Sequence, residues 1–309
     1  MEYRKLGKTG LSVSALGLGC AALGGVYGEL PEAEAERALH TALDEGINYL
    51  DTAPLYAVTR SETVVGKALR GISRDRYYIS SKVGRYDVDD SDFSYERVSS
   101  GLDATLKRLG CGYLDLVILH DIEYVPLETV LNEGLRALHD ARQKGKVRFI
   151  GASGLPMRIY PAILAKAELD AVISYAHYTL QNAALETTLP LLETHDLGVI
   201  NASPLALGLL TRQGPQEWHL GSDLLKQKCR EAAAWCHSQG VDIADLGMRF
   251  ALSNPRIHST LTGARTAEEV LRNVRCVAQP PDPELVAGVR AILTPVLNHT
   301  WPSGRAEYQ

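Results

Sequence analysis

Eight short apolar runs, separated by longer amphipathic segments, constrain this sequence more than any other feature. They are Leu16–Leu18, Ile47–Leu50, Tyr77–Ser81, Leu114–Leu119, Phe149–Ala152, Ala171–Ser174, Gly198–Asn201 and Ser259–Leu261. Each is too short for a helix and rich in Ile, Val, Leu or Tyr, which reads as a buried strand. The segments between them carry helical spacing. In Pro31–Gly46, Ala35, Ala38, Leu39, Ala42 and Leu43 share one face, Pro31 sits near the start and Gly46 closes the end. Ser94–Gly110 and Pro126–Lys146 repeat the arrangement, with Lys, Arg and Gly where helix C-termini favour them.

Eight strands joined by helical connections predict a (β/α)₈ TIM barrel, and 309 residues suit a fold that typically needs about 250. A doubly wound sheet would call for a Gly-x-Gly-x-x-Gly turn after an early strand, and Gly17-Leu18-Gly19 lacks the third glycine. No linker or low-complexity stretch divides the chain, so a single barrel domain over residues 1–309 is expected. The opening residues, with a Lys8-Thr9-Gly10 turn between alternating runs, predict a β-hairpin closing the barrel bottom. The long stretch Pro204–Leu224, and the tail after Val277 with its helical run Glu284–Leu293, are expected to form lids and specificity loops at the mouth.

Composition narrows the function. A 45% hydrophobic and 22% charged chain can bury a core, and a net charge of −5 without a Lys/Arg cluster argues against nucleic acid. The N-terminus lacks the basic-then-apolar order of a signal peptide, and no window approaches the roughly eighteen apolar residues a membrane span needs. Five cysteines (Cys20, Cys111, Cys229, Cys236 and Cys276) form no Cys-x-x-Cys pair. Cys229 and Cys236 read as small core residues, no metal is expected, and a reducing cytoplasm is the expected compartment.

In such a barrel the reacting groups sit at the C-terminal ends of the strands. The second strand ends in Asp51, with Tyr56 in the loop beyond Pro54. The third ends in Lys82, the fourth in His120-Asp121, the fifth in Ser153-Gly154 and the sixth in Ser174-Tyr175. Alone, a lysine at a strand end is more often a solvated charge, and a lone histidine more often a satisfied core residue. Three adjacent strands delivering Asp, Lys and His to one rim, beside a tyrosine, are a different matter. A phenol titrates near pH 10, and an adjacent Lys82 ammonium favours the phenolate. Asp51 can pair with Lys82 and compensate its buried charge, while His120 can orient a substrate oxygen. With no evident nucleophile or metal set, this is a proton donor and acceptor suited to hydride transfer with a nicotinamide.

Asp51, Tyr56, Lys82 and His120, in this order and on this barrel, resemble the catalytic tetrad of the aldo-keto reductase superfamily. So do the opening YRKLGKTGLSVSALGLG and the segments GINYLDTAPLY, SSKVG, LDLVILHD, GKVRFIGASG and SPLALGLL, which together span nearly the whole chain. Within the superfamily, HDIEY, ISYAHYTL, SPLALGLLTRQGPQEWH and NHTWPSG are similar to the aldose 1-dehydrogenase group of the L-galactose dehydrogenase type. L-fucose, D-arabinose and pyridoxal dehydrogenases are similar enough to stay in play. The resemblance implies a monomer or homodimer that oxidises a small sugar at C1 to the aldonolactone, with Tyr56 as general acid/base and His120 positioning the sugar. Some barrels of this kind instead sense redox state for a membrane channel. An extra N-terminal segment or an exposed apolar patch would be expected of those, and the enzyme reading is favoured here.

The resemblance also implies a nicotinamide site with departures. Ser153 is kept, but Gly154 stands where many members have Asn, Tyr175 where Gln is expected, and Ala202 where a stacking Tyr precedes Ser-Pro. Ser203, Leu205 and Gly208 would line the cofactor. Gly263 lies near the position of a phosphate-gripping Lys, and Glu269 at that of an Arg, with Arg265 and Arg272 as partial compensation and Asn273 nearby. Two lost ligands and an added negative charge predict NAD over NADP, by a few kcal/mol at most from contacts of roughly 1.5–3 kcal/mol each. For the substrate, Asp121, His177, Tyr178, Trp218, His219 and Trp301 are the candidates. Aromatic rings suit the apolar face of a pyranose, although Trp301 can equally pin the tail. Glu123 reads as a capping or surface residue.

Overall fold

The computed structural model describes residues 1–308. The N-terminal hairpin pairs β1 (Tyr3–Lys5) with β2 (Ser12–Ser14) in antiparallel register. Eight parallel strands follow: β3 (Leu16–Gly19), β4 (Tyr49–Asp51), β5 (Tyr78–Val83), β6 (Leu114–Leu119), β7 (Val147–Gly154), β8 (Ala171–Tyr175), β9 (Gly198–Ala202) and β10 (Ser259–Gly263). They close in chain order, β10 pairing with both β9 and β3, so each of the eight apolar runs is a barrel strand. This is the (β/α)₈ architecture the alternation predicts.

The hairpin fills the bottom. Leu6, Leu11 and Val13 pack with Tyr49, Leu116, Ile118, Ala171, Ile173, Ile200 and Leu261 inside the barrel. Burying each such side chain contributes about 1.5–3 kcal/mol. Gly7 makes the contact possible: at φ +45° it lies against Gly198, and an added Cβ would come within 2.4 Å of the Gly198 nitrogen. Only a residue without a side chain fits there.

Outside the strands, the helix Glu32–Asp44 buries Ala35, Ala38, Leu39, Ala42 and Leu43, the face its spacing indicated. Tyr95–Leu109 starts at Ser94, whose hydroxyl accepts from Arg97 N, and stops at left-handed Gly110. The segment after Pro126 is not one regular helix: Val130–Leu135 opens into a π turn where Gly134 packs close to Leu119 and Phe93. A second cluster, with Leu209, Leu225, Cys229, Cys236, Val289, Val296 and Trp301, holds the Asp223–Ser238 and Pro283–Leu293 helices and the tail against the barrel. Cys229 and Cys236 are thus core residues. Among the described residues no helix is long and apolar enough to cross a membrane.

Candidate active site

Register brings the polar strand ends together. Asp51 pairs with Ser80, Lys82 lies two residues farther along β5 and so on the same face, and Val83 pairs with Leu119, the residue before His120. Asp51 is 3% exposed and Lys82 2%. Lys82 Nζ donates to Asp51 Oδ2 at 2.5 Å and to the Thr52 carbonyl at 2.9 Å. Ser80 donates to Asp51 Oδ1 at 2.6 Å and accepts from Tyr49 at 2.9 Å, so both carboxylate oxygens are held. The Lys82 ammonium stands 4.5 Å from the centre of the Tyr56 ring. The His120 ring meets Tyr56 edge-on, with centroids 5.9 Å apart.

Tyr56 projects from a tight loop in which Ala57, Val58 and Thr59 all have positive φ, at 50°, 47° and 69°. Left-handed backbone costs a non-glycine residue roughly 1–2 kcal/mol. The neighbouring structure therefore holds this loop in place, with Thr59 N donating to the Pro54 carbonyl at 2.7 Å.

Burial dominates the electrostatics. It pushes the Tyr56 phenol up to about 12, although Lys82 opposes it, and Asp51 and Asp121 push the same way. The net direction is thus the reverse of what Lys82 alone would give. Burial likewise holds the His120 imidazole down at about 3, reinforced by Lys82 and Arg85 against Asp121, so the ring is neutral at ordinary pH. Burial works against the Lys82 ammonium too, but Asp51 and Tyr56 more than offset it and raise its titration. His120 Nδ1 is buried without a partner.

A second polar cluster adjoins the first. Asp121, in a left-handed turn (φ +48°), accepts from Arg85 Nη1 at 2.8 Å through Oδ2 and from the Ser153 hydroxyl at 3.2 Å through Oδ1. Asp121 N donates back to Ser153 Oγ at 3.0 Å. The Ser153 hydroxyl therefore points its hydrogen at Asp121 and keeps only acceptor capacity for anything else. Arg85 also stacks over the Tyr124 ring at 3.7 Å. Glu123 is not at the surface but fully buried, accepting from Leu155 N and the Ser303 hydroxyl through Oε1. Burial and Asp121 raise its carboxyl to about 7. Glycine at 154 follows from this packing, since a Cβ there would lie 2.0 Å from Ile159 and 2.6 Å from Glu123 Oε2. Tyr175 ends β8 beside Asp121, Glu123 and Tyr124, half-buried.

A groove of about 380 Å³ runs from Asp51 and Tyr56 along Gly19, Ala22, Ala202, Ser203, Leu205 and Gly208 to Gly263, Arg265 and Glu269. It continues through a further space of about 330 Å³ bounded by Arg272 and Asn273. A groove with apolar and polar walls, opening from a redox-suited cluster, fits a dinucleotide, and the buried, unpartnered Arg265 Nε on its wall fits an anionic group. The expected compensating cations are partly committed. Arg272 pairs with Asp242 at 2.8 Å and Asp245 at 2.6 Å, and Arg265 Nη2 donates to the Glu29 carbonyl. Glu269 accepts from Arg265 N at 2.7 Å.

At the mouth, Trp218 is exposed and leans on Tyr27, which also lines the groove, and on His219. Trp301 is buried and meets the His219 ring edge-on at 4.6 Å, so it both pins the tail and backs the mouth. His177 is buried, with Nδ1 on the Tyr175 carbonyl. Tyr178 lies apart from this group, stacked 5.1 Å from Phe250 within the barrel–helix core. Sequence reasoning missed Arg85 and Tyr27. A signal for Arg85 existed, since it follows Lys82 by three residues at a strand end, whereas Tyr27 sits in a glycine-rich loop with none. Among the described residues no group of His, Cys, Asp or Glu could hold a metal.

A profile of the Aldo/keto reductase family matches residues 15–294. L-galactose dehydrogenase of Arabidopsis thaliana is 42% identical over 313 residues, covering 98% of each chain. D-arabinose 1-dehydrogenase of Saccharomyces cerevisiae is 37% identical, over 78% of this chain and 76% of its own. Among solved structures, the holo form of an aldo-keto reductase from Bacillus halodurans superposes with a TM-score of 0.77 at 26% identity, covering 100% of this chain and 99% of the other. With the barrel, the strand-end cluster and the matched length in agreement, the chain belongs to the aldo/keto reductase family.

Proposed function

We propose that this protein is an aldose 1-dehydrogenase that oxidises a cyclic sugar, L-galactose first among candidates, at C1 to the aldonolactone with NAD. The observation that carries the reading is the buried Asp51–Lys82 pair with the Tyr56 phenol against it. The 42% identity to an L-galactose dehydrogenase over almost the full length supports the substrate. The D-arabinose enzyme among the relatives keeps other aldoses as the alternative.

In this reading the groove beneath Ser203, Leu205 and Gly208 holds the cofactor, with Gly263, Arg265 and Asn273 toward its adenosine end. When bound there, oxidised nicotinamide would supply the two-electron acceptor for the C1 hydrogen. Tyr56 Oη takes the proton of the anomeric hydroxyl, which requires the phenolate, and Lys82 stabilises that anion. Asp51 fixes Lys82 and keeps its buried charge compensated. His120 is neutral and can hydrogen-bond the sugar oxygen without competing for its proton. Trp218 and Tyr27 offer apolar faces to the pyranose, with His219 and Trp301 packed behind Trp218. In the reverse direction the neutral phenol is the acid, and its high titration keeps it protonated.

NAD is preferred over NADP in this reading because Glu269 faces the groove while Arg272 is tied to two aspartates. A 2′-phosphate dianion would meet the Glu269 carboxylate there, with Arg265 as a cation on the wall not tied up in an ion pair. The test is steady-state turnover of L-galactose, L-fucose, D-arabinose, L-glucose and pyridoxal with NAD and with NADP, wild type beside Tyr56→Phe. Selective L-galactose oxidation with NAD, lost in Tyr56→Phe, is expected. No turnover of any aldose, or an unimpaired Tyr56→Phe, would overturn the proposal.

A further inference from the structure

The Arg85–Asp121 pair belongs to neither the lysine–aspartate pair nor the groove, yet it sits against the reacting groups. Asp121 Oδ2 is 3.9 Å from His120 Nε2 and 2.8 Å from Arg85 Nη1, and both side chains are under a tenth exposed. A carboxylate this buried, one residue from His120, acts on its neighbours with little screening unless a cation neutralises it. We propose that Arg85 is a positioning residue that neutralises Asp121, so that the charge of this second carboxylate does not oppose proton removal by Tyr56 or draw a proton onto His120. The inference rests on the aldose dehydrogenase reading, because it concerns the rate at which Tyr56 acts as base.

The charged and titratable groups facing Tyr56 are Lys82 and Asp51 from the strands beside it, Asp121 from the loop after β6, His120, and the Tyr49 phenol. Lys82 favours the phenolate, whereas Asp51 and Asp121 disfavour it. Asp51 already has Lys82, so Asp121 needs its own cation. Those facing Asp121 are Tyr56, Arg85, His120, Glu123, Tyr160 and Tyr175, of which Arg85 is the cation in contact. Arg85 is itself held in place. Its guanidinium lies over Tyr124 at 3.7 Å, and the Ser153 hydroxyl, itself held by Asp121 N, fixes the carboxylate from the other side. Both carboxylate oxygens are thus engaged before any sugar arrives, which fits a charge-setting role better than a hydroxyl-binding one.

Two substitutions separate charge from packing because they act with opposite sign. Arg85→Gln leaves the Asp121 charge uncompensated, and kcat/KM for aldose oxidation at a fixed neutral-to-alkaline pH falls by about tenfold or more, the pH–rate curve moving to higher pH. Asp121→Asn leaves the Arg85 charge uncompensated, and the curve moves to lower pH by a comparable amount, a typical size for one nearby charge. The Arg85→Gln/Asp121→Asn double variant returns the curve toward the wild-type position, and Arg85→Lys, which keeps the charge, holds it there. The position of the curve, not its height, is the readout. Shifts in the same direction, no shift, or displacement in Arg85→Lys equal to that in Arg85→Gln would overturn the inference. If Arg85→Gln alone does not fold, the displacement between Asp121→Asn and the double variant, which differ only at Arg85, decides: a shift of the double variant to higher pH upholds the inference and its absence overturns it. A wild type inactive on aldoses, or an active Tyr56→Phe, removes the functional reading and this inference with it. The charge argument fails on its own when those controls hold and the opposed shifts do not appear.

Discussion

Asp115, near the bottom of the barrel, and Asp51, at its rim, are both buried carboxylates on neighbouring parts of the sheet, but their partners differ. Asp115 is fully buried and accepts from Arg74 Nη2 at 2.5 Å, Arg148 Nη1 at 2.6 Å and Ile79 N at 2.9 Å. Two cations and a backbone amide saturate it, and Arg74 is in turn stacked against Tyr77 and Tyr113. Asp51 has one cation, Lys82, whose ammonium also faces Tyr56. The bottom pair holds strands together and has nothing left over. The rim pair leaves a cation beside a phenol and an imidazole nitrogen without a partner, and this unspent capacity is what a reaction can use.

Substitutions can break this contrast, and the largest effect belongs to the rim. Tyr56→Phe removes the proposed proton carrier and should lower kcat/KM by about 10²–10⁴-fold, while the urea unfolding midpoint stays near wild type. At the bottom the effects exchange. Asp115→Ala leaves the buried Ile79 N without its acceptor and removes the partner of the partly exposed Arg74 and Arg148; it should cost about 1–3 kcal/mol in urea unfolding, the scale for a buried donor left unsatisfied, with kcat of the folded fraction unchanged. A loss of catalysis without loss of stability at Asp115 would erase the distinction between the two ends.

Acid sharpens the contrast further. The folded protein holds His120 neutral down to about 3, whereas the unfolded chain protonates it near 6.5. Stability from this group is therefore full above 6.5 and lost as pH falls through that window, by about 1.4 kcal/mol per pH unit. His177, held near 4 by burial, adds loss of the same sign. Chemical denaturation as a function of pH should show this slope in wild type and a shallower one in His120→Gln. The smallest effect concerns the cofactor. Glu269 is exposed, so under the proposed NAD preference Glu269→Ala should narrow the ratio of NAD to NADP kcat/KM by only about two- to fivefold, in line with a solvent-screened charge.

The strands were legible because a barrel strand is buried on both faces and so must be apolar whatever its function. A helix such as Glu32–Asp44 was equally legible, since its single buried face writes a period into the chain. Asp51, Lys82 and His120 stood out because charge at the end of an apolar strand breaks that pattern. Glu123 did not, because it lies in a polar loop, and its burial depends on Ser303 and the tail folding back from 180 residues away. Tyr178 went the other way: an aromatic in a loop near the mouth, it stacks on Phe250, two residues after Ala176, where the chain takes a positive φ.

Composition and periodicity determined the barrel, the strand count and the rim on which the polar residues gather, since each follows from local apolar patterning and one closure rule. Tertiary structure alone decided the electrostatics. The direction in which Tyr56 titrates, the neutrality of His120 and the pairing of Asp121 with Arg85 depend on burial and on distances of a few ångströms between segments far apart in the chain. Coulomb and desolvation energies vary steeply over such distances, and no spacing along the sequence encodes them.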